Sequence, residues 1–211
     1  MLSKRDNAYV QLRSDILDGS LMPGDAISER SVAESIGASR VPLREALIQL
    51  QRDGLVTVAP HRGAFVRAFT PDTLQQLYEL RGALEGLAAS KAAVILGKHA
   101  MTPHINAFKS TLRLKTPDAA RPEREGVDFH EAIINGCGNP MVTEACARIR
   151  GQSQLAKRMT YYPPDHAWLR RSTQEHLDIA EAISRGDSLE AERQMRAHIS
   201  AWSRLFRHIV H

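Results

Sequence analysis

The chain has 211 residues, 43% hydrophobic, 25% charged and only 5% aromatic, which is enough to bury a core in one large domain or two small ones and favours helix. A formal net charge of +4, with nine Lys/Arg against eight Asp/Glu in residues 1–69, leaves any argument for nucleic acid to charge placement rather than charge total. The opening MLSKRDNAYV lacks the apolar core of a signal peptide, no stretch approaches the roughly 20 apolar residues of a membrane span, and Cys137 and Cys146 have neither zinc-site nor redox-motif spacing, so a soluble cytoplasmic protein with free thiols and no membrane partner is expected.

Residues 5–18 predict a first amphipathic helix with Val10, Ile16 and Leu17 inward and Gly19 ending it. After a Pro-Gly turn, Ser28 is placed to cap a short helix carrying Val32, Ala33 and Ile36 at helical spacing, and Gly37 ends that helix. The next helix begins near Ser39. Its Leu43, Ala46, Leu47 and Leu50 form one buried face, while Arg40 and Arg44 stack one turn apart on the exposed side near the N-terminus, the end that a recognition helix pushes into the major groove. Two short β-branched runs, 55–58 and 64–66, flank a turn at 60–63 with His61 and Arg62 at its tip. Cap, turn, amphipathic helix and basic hairpin in that order make a winged helix-turn-helix.

Thr70, Pro71 and Asp72 then open a new helix running to about Leu96. Thr102-Pro103 repeats the start signal for a helix fading near Lys115; others are expected over 123–135, 141–160 and 165–185, with Tyr161 to Pro164 breaking the pattern. Asp187 caps a last helix that reaches the C-terminus. The fold class is therefore mainly α: a winged helix-turn-helix over residues 1–69 and an all-helical bundle over 70–211. No internal repeat is present.

Three histidines fall on apolar faces: His130 with Val127, Ile133 and Ile134; His176 with Ile179, Ala180 and Ile183; His198 with Met195, Trp202 and Leu205. A single inward histidine is ordinarily a hydrogen-bonded core residue, but three on separate helices suggest a cavity that uses them. Histidines 99, 104, 166, 208 and 211 read as surface residues. Arg81 interrupts the stripe of Leu74, Leu77, Leu84 and Ala88 and needs an anion, either Glu85 one turn on or the carboxylate of a bound metabolite.

The run SERSVAESIGASRVPLREALIQLQRDGLV…RGAFV resembles the GntR family of bacterial regulators. The pieces YELRGALEGLA, FHEAI…GNP, EHLDIAEAI..GD and AERQMRAHI resemble its FadR-like subgroup, with an all-helical FCD effector domain. The resemblance implies a homodimer on a palindromic DNA operator, modulated by a small organic acid bound in the bundle. By matching positions it implies DNA contacts at Arg30, Ser39, Arg40, Arg44, His61, Arg62 and Gly63, an effector site around Arg81, His130, His176 and His198, and a divalent metal, zinc or nickel, on the three histidines. One departure stands out. The family's aspartate ligand, one turn before the first histidine, is Gly126 here, and Asp128 lies about 200° round the helix from His130.

Two other functions compete with this one. The first is the same regulator with a metal-free acid or acyl pocket. The second is a three-histidine metalloenzyme, but His130-Glu131 is not followed by a second histidine at metalloprotease spacing and no inward general base is evident, so no enzyme is expected.

Overall fold

The computed structural model describes residues 2–35, 37, 39–115, 118, 120–159 and 165–207, the side chains of 205–207 apart. Ile36, Tyr161 to Pro164, His208 and His211, and the side chain of Leu205, lie outside that description, and with them the expectations placed on them. The described residues form two compact units, Met1–Leu74 with Arg148–Tyr161, and Gln75–Ala147 with Tyr162–His211.

The first unit begins with α1 (Lys4–Asp18), capped by Ser3 and ended by Gly19 in a left-handed conformation. Its buried stripe is Ala8, Leu12, Ile16 and Leu17. Val10 is a correction: it is 53% exposed, because it stands about 200° round the helix from Leu12. The strand β1 (Ala26–Ile27) precedes α2 (Glu29–Ser35), and Ser28 Oγ accepts from the Ser31 N–H at 3.3 Å. In α3 (Arg40–Arg52) Leu43, Ala46, Leu47 and Leu50 are all buried, as the spacing required. The wing consists of β2 (Val56–Ala59) and β3 (Gly63–Val66), antiparallel, with β1 pairing on the other side of β3 through Ala26 and Phe65. A two-residue strand carries no readable alternation, which is why β1 was not expected.

The second unit is helical. Its α4 (Pro71–Ile95) starts in the first unit, and the Thr73 N–H donates to Thr70 Oγ1 at its cap. The following α5 (Gly97–Arg113) begins well before the expected start, so Pro103 lies inside it. Pro103 is exposed, as is His99, the residue one turn earlier whose carbonyl a proline cannot serve as donor, so the helix loses one bond at a site water can reach. Then come α6 (Ala120–Gly136), α7 (Pro140–Met159), whose residues from Arg148 on belong to the first unit, α8 (His166–Ser184) and α9 (Ser188–Arg207), with Asp165 and Asp187 accepting from the amides of Trp168 and Glu190 as caps. Among the described residues, no helix is long and apolar enough to cross a membrane.

Candidate functional site

In the winged unit every residue singled out for DNA is exposed. Ser39 is the N-cap of α3, Arg40 its first residue and Arg44 one turn on. Two of the arginines are held by acids: Arg44 Nε lies 3.3 Å from Glu29, and Arg30 Nε donates to Glu34 at 2.9 Å. His61 sits at the turn with φ 60, and the Arg62 N–H closes the turn onto the Ala59 carbonyl at 3.1 Å. Gly63 follows with φ 94, a left-handed value that a side chain would strain.

In the helical unit the three histidines converge. His130 of α6, His176 of α8 and His198 of α9 bring their Nε2 atoms together, at 3.2 Å between His130 and His176 and 3.0 Å between His176 and His198. The Nδ1 atoms of the outer two face carboxylates: His130 meets Glu85 of α4 at 2.5 Å, and His198 meets Glu175 of α8 at 2.8 Å. Phe108 and Phe129 wall the middle ring, with centroids 5.4 and 5.6 Å from that of His176.

Of the anions considered for Arg81, the structure supplies Glu85, at 2.5 Å from Nε. Glu85 therefore bridges Arg81 and His130. Burial opposes its charge, yet the Arg81 guanidinium and His130 hold its carboxyl below the usual carboxylate range. Burial pushes His198 down to about 4, with Glu175 opposing, so the ring is neutral at pH 7. Glu175 is itself held low against burial by its bonds to His198 and Arg171.

These partners set the tautomers. A neutral imidazole carries one N–H, and an ionised carboxylate only accepts, so the neutral ring of His198 places N–H on Nδ1 and a lone pair on Nε2, and the contact with Glu85 selects the same tautomer for His130 whenever that ring is neutral. His176 Nε2 faces both lone pairs and can donate at full strength to one. Three Nε2 atoms so arranged suit a shared cation. Around an ion with bonds of about 2.0 to 2.1 Å, neighbouring nitrogens stand about 2.9 to 3.4 Å apart, which brackets the two separations that His176 makes, and the ligating atoms of all three histidines lie within 4.8 Å of one another. The carboxylates behind Nδ1 are the support that metal-bound histidines use.

At Gly126 a Cβ would lie 2.7 Å from His176 Cε1, so the ring of His176 fills the room in front of the glycine. Asp128 is exposed, as its angle on the helix required. Two placements differ from expectation. Val127 is exposed, and Gly126 and Phe129 take its place on the buried face of α6; His104 is half buried against Phe129, at 5.5 Å between centroids. Glu175 was not foreseen: it neighbours His176 in the chain, so sequence spacing aims the two side chains about 100° apart. One turn from His176 along α8, and from Phe108 along α5, a cavity of about 160 Å³ is lined by Thr111, Leu169 and Thr173, with Lys115, His166 and Arg170 around it.

Residues 4–66 match the family model "Bacterial regulatory proteins, gntR family", and residues 76–201 match the FCD domain. The chain is 30% identical over 206 residues to an "Uncharacterized HTH-type transcriptional regulator in unstable DNA locus" of Streptomyces ambofaciens, covering 94% of this chain and 83% of that one. It is 25% identical to the HTH-type transcriptional repressor RspR of Escherichia coli K12, over 95% of this chain and 88% of that protein. Among solved structures, E. coli McbR/YncC shares the fold, with a TM-score of 0.76 at 19% identity and 99% of each chain covered. These relatives are transcriptional regulators rather than enzymes, and the chain belongs to the gntR family of bacterial regulatory proteins, as a DNA-binding transcriptional regulator with a C-terminal FCD domain.

Proposed function

We propose that this regulator binds a palindromic operator as a homodimer, and that a small organic acid held at the histidine centre modulates the binding. Arg40 and Arg44 present guanidinium forks suited to guanine edges or phosphates, and Arg30, Ser39, His61, Arg62 and Gly63 complete the contact surface. The observation that carries the effector reading is the convergence of three Nε2 atoms whose outer rings are oriented by buried or half-buried carboxylates. His130, His176 and His198 would hold a zinc or nickel ion. When bound, that ion would supply open coordination positions for an acid's carboxylate oxygens. Glu85 and Glu175 keep the two outer rings in the ligating tautomer, and Arg81 fixes Glu85. The nearby cavity, with Lys115 and Arg170 around it, favours an anionic occupant.

A metal-free version has its own support at Gly126, since the family's carboxylate ligand is absent and His176 fills that room. In this version Arg81 and the histidines hydrogen-bond the acid directly. Metal analysis of protein purified without added metal, beside His176→Ala, separates the two. Metal in the parent but not the variant is expected, and equal, negligible content in both overturns the metal. A thermal-shift screen of organic acids with and without zinc or nickel then tests the effector. The only two tryptophans, Trp168 and Trp202, meet edge to face with centroids 4.1 Å apart on α8 and α9 and should report binding by fluorescence. No acid altering either stability or operator affinity would end the effector reading.

A further inference from the structure

The DNA-reading unit contains a segment from far along the chain. Residues 148–159, the second half of α7, cluster with it, although the family's DNA-binding model matches residues 4–66 alone. The contacts are specific. Gln152 Nε2 donates to the carbonyl of Asp53, the C-cap of α3, at 3.1 Å across 99 residues of sequence. Arg158 Nη2 donates to the carbonyl of Leu17 near the end of α1 at 3.0 Å, across 141 residues. Each bond satisfies a terminal carbonyl that a helix leaves without an internal donor.

The glycines beside these ends make room. Gly54 has φ 73, and a Cβ there would lie 2.5 Å from Gln152 Nε2; a Cβ at Gly19 would lie 3.3 Å from Arg158 Nη1. On the α7 side, Gly151 lets the Leu55 side chain approach to 3.7 Å of its Cβ position. The Phe69 N–H points at Met159 Sδ at 3.2 Å. Asp53 is held from a second direction by Tyr9 of α1, whose hydroxyl donates to its carboxylate at 2.8 Å. The end of the recognition helix opposite Arg40 and Arg44 is thus gripped on two sides.

Resting on the proposed reading of α3 as the recognition helix, we infer that Gln152 is a positioning residue for DNA reading: its amide donor fixes the C-terminal end of α3, and with it the angle at which Arg40 and Arg44 meet base edges. The element that completes the reading head belongs, by sequence, to the FCD half of the chain. Base readout depends on helix angle, while phosphate attraction depends mainly on charge. Gln152 therefore acts on specificity more than on affinity for DNA in general.

The test uses the full chain with an operator selected by that chain from a randomised duplex library, beside a random duplex. Gln152→Glu keeps size and shape, removes the donor and sets a carboxylate against a carbonyl at the negative end of a helix. The operator-to-random affinity ratio should fall about tenfold, about fivefold for Gln152→Ala, and stay within about twofold for Gln152→Lys, which retains a donor. Hydrogen exchange at Gly54 and Leu55 should quicken in the same order. Taking the ratio cancels the effect of the altered net charge on phosphate attraction. A packing role predicts that Glu matches wild type and Lys does not, and that result overturns the inference. So does an equal loss on both DNAs, or an unchanged ratio in Glu and Ala alike.

Discussion

The reading head and the histidine centre solve opposite problems. The head's seven proposed contact residues lie within Arg30 to Gly63, and all are exposed. The centre draws its groups from α4, α6, α8 and α9, joining side chains 45, 46 and 22 residues apart, mostly buried. An exposed contact residue needs only the right helix face and contributes little to stability, whereas a buried polar group must find its partner or the fold suffers. The head should therefore be alterable in function without loss of stability, and the centre should not.

Glu85→Ala tests this most severely. Removing the bridge leaves Arg81 and His130 without their shared buried carboxylate and should cost about 3 to 5 kcal/mol of stability by denaturant titration. A loss below about 1 kcal/mol would erase the distinction between the two regions.

Acid should reveal the same asymmetry. His198 keeps its neutral form down to about 4 when folded, while the unfolded chain binds a proton near the ordinary 6.5. Its contribution is thus complete above pH 6.5 and lost as pH falls toward 4, by about 3 kcal/mol. Urea titrations in the presence of a chelator, between pH 7.5 and 4.5, should show that decline, and His198→Gln should flatten it. Glu85 and Glu175, both held low, add their losses at more acid pH.

The smallest stability effect belongs to the head. Arg44→Ala should weaken operator binding by about 1 to 3 kcal/mol and relax base preference, with the melting temperature unchanged. Unchanged operator affinity would remove α3 as the recognition helix. Wild-type binding should also fall steeply with salt as phosphate contacts release counterions.

Local signals were dependable where one element set the outcome. Ser28, Thr70, Asp165 and Asp187 mark helix starts, and the face of α3 followed from spacing alone. They failed where neighbours chose. Val10 and Val127 are apolar residues that packing leaves exposed, and Pro103 sits inside α5 because its exposed position tolerates a missing donor. Gly151, isolated in a helical pattern, was the one available hint that another segment approaches α7 closely.

By itself, the sequence determined the order of helices and wing, the exposed arginines of α3, the inward aim of His130, His176 and His198, and the vacancy of a carboxylate at Gly126. The first three follow from periodicity, capping or residue type, which act over a few residues, and the last from the resemblance to the family's motif. Tertiary structure alone decided that Glu175 backs His198, that His176 takes the room beside Gly126, and that Gln152 reaches the end of α3. Those are pairings between groups remote in sequence, and only the packed chain brings such groups within hydrogen-bonding reach.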